Sequence, residues 1–131
     1  MSFALDVSKF VEKAKKNPEK VMRQVSIKLF SAIIKASPVD TGRFRMNWMA
    51  SGSTPASGIT GATDKSGNIA TGNATSFVLK AADWREFTLT NNLPYAQRLE
   101  YGWSQQAPAG VVRTNVSRFQ QLINEEANKV K

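Results

Sequence analysis

Two residue types that often perform acid–base, nucleophilic or metal chemistry, cysteine and histidine, are missing from this 131-residue chain. Cysteine is absent, which excludes disulfides, thiolate metal sites and a cysteine nucleophile. Histidine is also absent, so the commonest general base and the commonest metal ligand are missing. Carboxylates remain, but the spacing of Glu100, Glu125 and Glu126 pairs no two of them as an acid and a base. No glycine-rich phosphate loop of standard spacing occurs. We therefore expect no catalytic residue, no metal site and no cofactor.

One triplet, Asp40-Thr41-Gly42, matches a catalytic motif. In aspartic proteases two such loops bring a pair of carboxylates together to share a proton. This chain has one copy, so a protease would need a homodimer, and Arg43 follows where a small residue is usual. A turn is the better interpretation: Pro38 fixes its own φ, Asp40 and Thr41 can bond the local backbone, and Gly42 accepts a positive φ.

The charge of the chain suggests recognition of an acidic partner. It has 18 Lys and Arg against 10 Asp and Glu, a formal net charge of +8, which favours nucleic acid, an anionic membrane or an acidic protein. Arginines bind phosphate and aromatic rings stack on bases, but the same residue types dominate protein–protein contacts. Because the arginines lie in separate elements, a protein interface is favoured over nucleic acid. The residues are Arg43, Arg45, Arg98, Arg113 and Arg118, with Trp48, Tyr95, Tyr101 and Trp103.

Two helices are predicted in the first third of the chain. Asp6 can cap a short amphipathic helix over Asp6–Lys16. Asn17 can cap a second helix, with Pro18 at its first position, that runs to about Ala36. The apolar face of this second helix is wide, which indicates burial on more than one side. Ser37-Pro38 ends it, because a residue before proline avoids the helical region.

Two strands are predicted. Strict alternation of polar and apolar residues indicates a strand over Arg43–Met49, and a second strand is expected over Arg85–Thr90. One face of the first strand carries Phe44, Met46 and Trp48, and the other face carries Arg43, Arg45 and Asn47. Since two strands make a marginal sheet, we expect further pairing from a loop or from a neighbouring subunit.

The segment from Ala50 to Ser76 consists mostly of Gly, Ser, Thr, Ala and Asn. It has too little apolar surface to order by itself, and a loop of this length is either functional or disordered. We interpret it as a mobile hairpin arm that becomes ordered on assembly by adding a strand to a partner. A disordered loop without a role is the alternative. A short helix over Thr75–Asp83 is predicted next.

Turn residues, aromatic residues and polar pairs are densest between Asn91 and Arg113. Asn91-Asn92 can cap a helix of about two turns, and Pro94 can occupy its first position. The spacing places Tyr95, Ala96 and Leu99 on one face of it, and Gly102 can end it in the left-handed conformation. An extended corner then leads to a last amphipathic helix over Ala109–Val130. We expect a rigid, exposed corner that presents Tyr101, Trp103, Gln105 and Gln106. Glu100 is expected to cap backbone, to pair with an arginine or to lie at a subunit contact.

This order of elements predicts an α+β fold in one domain, residues 1–131. It is a small twisted antiparallel sheet packed by two long helices, with a long mobile loop or hairpin arm. No apolar run approaches the roughly 20 residues that a membrane span requires, and the N-terminal residues lack a signal-peptide pattern. We therefore expect a cytosolic site of synthesis and no membrane partner.

Three stretches carry a resemblance to a known family: Ala36–Arg45, Asn91–Ala96 with Leu99–Gly102, and Ser104–Val112. In this order, and with a low-complexity loop between the first two, they resemble the neck or tail-completion proteins of long-tailed bacteriophages, also described as minor tail or head–tail joining proteins. The resemblance extends over about Asp6 to Val130. Leu93-Pro94 before the tyrosine is a mild departure from the pattern.

The resemblance implies a structural virion protein without enzymatic activity. Relatives form rings, commonly of six subunits, between the head connector and the tail tube, and DNA passes through the ring. The implied partners are further copies of the chain, head-closure or connector proteins, the tail terminator or tail-tube proteins, and DNA in the lumen with non-specific contact at most. The implied location is the virion neck, with assembly in the cytoplasm of the host bacterium. A tail terminator, a head-closure protein and a basic nucleic-acid-binding module remain alternatives.

The family's recurrent positions map onto fold or interface determinants. Arg43 and Arg45 are expected to face either acids of a neighbouring subunit or the DNA channel. The positions implied by the resemblance are Pro38, Asp40, Thr41, Gly42, Asn91, Tyr95, Ala96, Glu100, Gly102, Ala107 and Pro108, to which Arg43, Arg45, Tyr101, Trp103 and Gln106 are added as candidate interface residues.

Overall fold

The computed structural model describes residues 2–6, 17–96, 100, 112, 115 and 121. The elements of this part of the chain are β1 (Ser2–Asp6), α1 (Pro18–Ala36), α2 (Arg43–Met46), β2 (Trp48–Ser51), α3 (Asn68–Lys80) and β3 (Glu86–Asn91). The predicted α+β class is confirmed. None of the helices among the described residues has the length and apolar character to cross a membrane.

Strand β3 is the centre of an antiparallel sheet with the order β1, β3, β2. Leu89 of β3 is in register with Phe3 of β1 on one side and with Ala50 of β2 on the other. Within the chain, the third strand is β1 and not the loop arm that was expected to supply it, whereas pairing with a neighbouring subunit stays a prediction. Asp6, predicted to cap a helix, is instead the last residue of β1. Residues 7–16 of that predicted helix lie outside the described residues.

Helix α1 is the element that the sequence predicted best. The Asn17 side chain accepts a hydrogen bond from Lys20 N at 3.3 Å, and Pro18 occupies the first turn. As the wide apolar face indicated, α1 is buried along its length. Its buried apolar side chains are Val21, Met22, Val25, Leu29, Phe30, Ile33 and Ile34.

Ser37 ends α1 and connects it to the sheet. Its backbone is extended, as expected before a proline. Its hydroxyl donates to Ile33 O at 2.8 Å and accepts from Trp48 Nε1 at 2.8 Å. The one hydroxyl therefore satisfies a carbonyl at the end of α1 and the indole N–H of a fully buried tryptophan.

The predicted strand over Arg43–Met49 is wrong in its first half. Residues Arg43–Met46 form the helical turn α2, and the strand β2 begins at Trp48. Asn47 N closes the turn on Arg43 O at 3.1 Å. Phe44 and Trp48 face the core in either conformation, because positions four apart share one side of a helical turn as well as one side of a strand. Their rings pack edge to face at 5.7 Å.

The predicted mobile arm over Ala50–Ser76 is wrong at both ends, because β2 extends to Ser51 and α3 begins at Asn68. Residues 52–67 between them contain no helix or strand, and their ordering on assembly stays a prediction. The short helix predicted over Thr75–Asp83 is the second half of α3. Helix α3 buries only a narrow stripe, Ala70, Ala74 and Val78, spaced by four residues. Small side chains on this stripe allow α3 to approach α1 closely, so residues with low helix propensity become helical through tertiary packing.

The core lies between the two longer helices and one face of the sheet. Helix α3 packs against α1 and against β2, and the sheet contributes Trp48, Phe87 and Leu89. The rings of Phe77 and Phe87 meet edge to face at 6.3 Å. The predicted last helix lies mostly outside the described residues, but Val112, Asn115 and Gln121 have helical backbone, and Val112 packs against this core.

Replacing Ser37 with alanine is expected to lower the free energy of unfolding by about 1–3 kcal/mol, because the indole N–H of Trp48 stays buried without its acceptor. Urea unfolding followed by circular dichroism measures this change. Ser31→Ala is the control, since Ser31 is a half-buried serine of the same helix, and its effect should stay within about 0.5 kcal/mol. Equal losses in the two variants would contradict the role given to the Ser37 hydroxyl.

Candidate interaction site

The turn Pro38–Gly42 brings the end of α1 against the segment that precedes α3. Gly42 has a φ of 93°, as the turn pattern predicted. A Cβ on Gly42 would lie 2.5 Å from Lys65 N and 2.7 Å from the carbonyl carbon of Asp64. Gly42 O accepts from Asp64 N at 3.0 Å. Glycine is therefore required here both by the backbone conformation and by the close approach of two backbone segments.

Asp64 anchors the start of α3. Its side chain is buried, and Oδ1 accepts from the Ser66 hydroxyl and from Gly67 N, each at 3.1 Å. Oδ2 accepts from Ala70 N at 2.9 Å. Gly67 is the residue before the helix, and Ala70 lies in its first turn, where backbone N–H groups have no partner within the helix. The carboxylate therefore replaces the missing partners.

The pKa of the Asp64 carboxyl reflects two opposing effects. Burial raises the pKa, because a charge loses solvation in the interior. Hydrogen bonds from the Ala70 amide, the Ser66 hydroxyl and the Ile69 and Gly67 amides favour the carboxylate more strongly, so the pKa lies below its usual value. Asp64 was not predicted from the sequence. The available signal was the run Asp-Lys-Ser-Gly-Asn over residues 64–68, in which Asp, Ser and Asn are residue types that form local side chain–backbone bonds at the start of a helix.

Arg45 joins three backbone segments through its guanidinium group. Nε donates to Ser37 O at 3.0 Å, Nη1 to Lys65 O at 2.7 Å and Nη2 to Lys35 O at 2.8 Å. Arg43 Nε donates to Thr60 O at 3.1 Å. The polar strand face on which these arginines were expected to meet a neighbouring subunit or DNA does not exist, because both lie in the turn α2. Their guanidinium groups bind carbonyl oxygens of their own chain.

Two asparagines, Asn47 and Asn92, fix the segment between β2 and α3. Asn47 Nδ2 donates to Thr60 O at 3.0 Å, and Asn47 Oδ1 accepts from Thr60 N at 2.9 Å. Asn92 Nδ2 donates to Ala56 O at 2.9 Å and to Gly58 O at 3.1 Å. These bonds place a segment that has almost no buried apolar side chain. Asn47 and Asn92 were missed as a pair, because the elements that bring them together were predicted incorrectly.

Asn91 connects the Asn91–Ala96 stretch to α2. Its side chain is fully buried, and Nδ2 donates to Phe44 O at 2.9 Å while Oδ1 accepts from Leu93 N at 3.2 Å. Asn91 thus binds a local amide, as a capping residue does, and also ties the stretch to a distant turn. The ring of Tyr95 lies 6.1 Å from the ring of Phe44 and is 36 % exposed, whereas Ala96 is buried.

Glu100 is a second buried carboxylate that binds backbone. Its Oε1 accepts from Val112 N at 3.0 Å. Among the three roles expected for Glu100, this contact corresponds to the capping of backbone. Several other candidate residues lie outside the described residues. These are Tyr101, Gly102, Trp103, Gln106 and Pro108, with Leu99, Gln105 and Ala107.

The described residues of this site hold backbone segments in place and do not position reacting groups. Asp40 is exposed in the turn, and Thr41 Oγ1 accepts from Arg43 N at 3.2 Å. The carboxylate of Asp64 is enclosed by hydrogen-bond donors. No group of three His, Cys, Asp or Glu side chains that could hold a metal ion occurs among the residues that the structure describes. The arrangement suits a scaffold that holds an exposed surface in a fixed shape.

Asp64→Asn is expected to lower the free energy of unfolding by about 1.5–3 kcal/mol at neutral pH, because an amide replaces a charged acceptor of several hydrogen bonds. The folded-state pKa is lowered, so the stabilisation is complete above the unfolded-state pKa of about 3.9. It is lost as the pH falls through the folded-state pKa. The difference between wild type and variant should therefore shrink below about pH 4.

Urea unfolding of both proteins across this pH range measures that difference. Asp40→Asn is the matched control, because Asp40 is an exposed aspartate of the adjoining turn, and it should change stability by less than about 0.5 kcal/mol. A difference between wild type and Asp64→Asn that stays constant down to pH 2 would contradict the role of the carboxylate.

Gly42→Ala is expected to destabilise the fold by at least about 1–3 kcal/mol, because alanine is strained at a φ of 93° and its Cβ meets the backbone of residues 64 and 65. Gly61→Ala is the control, since a Cβ at Gly61 has no atom within 4 Å. It should be neutral or slightly stabilising. Thermal unfolding of the two variants distinguishes them, and a neutral Gly42→Ala would contradict the close approach.

Comparisons of the chain with protein-family models, with curated proteins and with solved structures found no match. Its function is therefore inferred from its own residues and from the geometry described above.

Proposed function

We propose that this chain is a structural protein of the neck of a long-tailed bacteriophage, where it forms a ring that completes the tail and joins it to the head connector around the DNA. One observation supports this proposal most directly. Two of the stretches that resemble neck proteins are far apart in sequence but contact each other, through Asn91 Nδ2 on Phe44 O at 2.9 Å and the ring of Tyr95 beside that of Phe44.

The chemistry of this contact suits a structural role. Pro38 is buried, Gly42 allows two backbone segments to touch, and Asn91 satisfies the backbone of a distant turn. Each of these residues determines the path of the chain, and none is placed to act on a substrate. Positions that recur in a structural family are expected to be of this kind, since a ring subunit requires a fixed shape.

A structural role agrees with the contacts that the charged side chains make, because they bind backbone groups of their own chain. Buried Asp64 and Glu100 bind backbone amides, and the guanidinium groups of Arg43 and Arg45 bind backbone carbonyls. These groups stabilise loops that have little apolar surface of their own. The six-fold ring and the tail-tube, connector and tail-terminator partners rest on the resemblance, and contact with DNA in the lumen would be non-specific.

Disruption of the gene in the phage genome that carries it tests the proposal. The expected result is a lysate that contains separate filled heads and separate tails by negative-stain electron microscopy, with joined particles restored by a copy of the gene in trans. Joined, infectious particles without the gene would overturn the proposal. The protease alternative is tested separately, by peptide cleavage: the purified wild-type chain should cleave no peptide, whereas a protease would cleave and would lose that activity in Asp40→Asn.

A further inference from the structure

The guanidinium group of Arg45 brings together two lysines that are distant in sequence. Nη1 donates to Lys65 O at 2.7 Å, and Nη2 donates to Lys35 O at 2.8 Å. Lys35 lies in the last turn of α1, and Lys65 lies shortly before the start of α3. The Lys35 ammonium group also reaches this start, where it donates to Ser66 O at 3.2 Å and to Asn68 Oδ1. We call Lys35, Arg45 and Lys65 the cation cluster.

The aliphatic stems of Lys35 and Arg45 lie against the residue before α3. A Cβ on Gly67 would lie 3.5 Å from Lys35 Cδ and 3.6 Å from Arg45 Cδ, so both stems pass close to the same backbone atom. Lys35 and Lys65 are exposed, and the hydrogen bonds from both terminal nitrogens of Arg45 are at the surface. The positive charge of the cation cluster is therefore held in one place and remains open to solvent.

No acid of the described residues neutralises the cation cluster. None of its three side chains forms an ion pair there, whereas Arg23 pairs with Glu19 at 2.8 Å. Asp40 of the adjoining turn is exposed and pairs with none of them. The carboxylate of Asp64, next to Lys65 in sequence, is buried and accepts from hydroxyl and amide groups. Neighbouring cations repel one another, so an external anion that binds here would relieve this repulsion.

Stability explains only part of the cation cluster. Cations complement the dipole at the C-terminal end of α1, where Arg45 also satisfies the carbonyls of Lys35 and Ser37. Lys65 has no such role, because its ammonium group has no hydrogen bond or ion pair with a described residue. Its N–H groups, together with the second N–H group on each terminal nitrogen of Arg45, are available to a ligand.

The residue types around the cation cluster indicate which anion fits. Ser66, Gly67 and Asn68 are small or polar, and the exposed apolar residue next to them is Ile69. Protein interfaces have apolar and aromatic centres that are depleted in lysine, and single-stranded nucleic acids stack on aromatic rings. In the described part of the chain the cation–aromatic contact is made by Arg85, outside the cluster. Lysine and arginine without aromatic rings suit the phosphate groups of a duplex.

We propose that the cation cluster binds phosphate groups of the backbone of duplex DNA, independently of the base sequence. Arg45 holds the two lysines together and adds its own charge. The choice of DNA over duplex RNA rests on the proposed function, in which DNA passes through the ring, whereas the binding of phosphate rests on the cluster. The formal charge of +8 adds long-range attraction but does not assign it to any part of the surface.

Substitution of the two lysines in the full chain tests this contact. Lys35→Gln and Lys65→Gln should each weaken binding to a short DNA duplex by roughly tenfold at low salt, because one phosphate contact fewer releases one counterion fewer. Each should also reduce the slope of log affinity against log salt concentration by about 0.9. Fluorescence anisotropy with two labelled duplexes of unrelated sequence measures both quantities, and the loss should be equal for the two sequences.

Each lysine of the cation cluster has a matched control at the far end of a helix. Lys20 is exposed on α1, about 22 Å from Lys35 along the axis, and Lys80 is exposed at the last residue of α3. Lys20→Gln and Lys80→Gln remove the same charge away from the cluster, so their affinities should stay within about twofold of wild type. Lys65→Gln should keep the thermal unfolding of wild type, which separates loss of a ligand contact from loss of the fold.

The inference is overturned if wild type does not bind duplex DNA at low salt, or if all four lysine variants weaken binding equally, since net charge alone would then explain it. Tighter binding of duplex RNA than of DNA would contradict the choice of DNA. Ile69→Ser should leave DNA binding unchanged, and polyglutamate of matched charge should compete at least about tenfold more weakly than the duplex, because its charge density is lower. Loss of binding in Ile69→Ser, or equal competition by polyglutamate, would favour an acidic protein and overturn the assignment.

The outcome is separable from that of the proposed function. If gene disruption leaves unjoined heads and tails while Lys35→Gln and Lys65→Gln bind DNA as wild type does, the neck function stands and the assigned contact is wrong. If these variants lose DNA binding as expected but particles join without the gene, the phosphate contact stands and the neck function is wrong.

Discussion

The segment between β2 and α3 has few apolar side chains to bury, so its position depends on satisfying its backbone polar groups. Thr60 O accepts from Arg43 and Asn47, and the carbonyls of residues 56 and 58 accept from Asn92. Asp64 then binds the first amides of α3. Since a hydrogen bond forms only within a narrow range of distances and angles, each of these donors and acceptors restricts the path of the chain. The helix and the exposed surface that follow both depend on this network.

Helix α3 shows how such a network replaces intrinsic propensity. Its sequence contains Gly, Thr, Asn and Ser, which are poor helix formers. At its start the Asp64 carboxylate supplies the missing acceptors, and at its end the Arg23 guanidinium binds Val78 O and Ala81 O. Both ends are therefore satisfied by charged side chains, from the preceding loop and from α1. The alanines between them let the helix lie against α1, so its stability is tertiary rather than local.

This dependence explains which elements could be predicted from the sequence. Helix α1 and strand β3 have strong local patterns. Helix α1 has a capped start with a wide apolar face, and strand β3 is a short apolar run. Both lie close to where they were expected. Helix α3 has no such pattern. Its determinants, Asp64 and Arg23, are recognisable only after the fold brings them to its ends. The turn α2 was mistaken for strand, because Phe44 and Trp48 satisfy both periodicities and the choice is made by Gly42 and Asn47.

The same reasoning applies to the candidate site. Gly42 and Asn91 could be identified from residue type, because a turn glycine and a capping asparagine have recognisable local roles. The functions of Arg43, Arg45 and Asn92 could not, since their partners are carbonyls distant in sequence. An arginine beside an aromatic residue resembles a nucleic-acid surface until its guanidinium is seen to bind backbone. Residue type alone therefore could not tell an arginine that contacts a partner from one that holds a loop of its own chain, as Arg43 and Arg45 do.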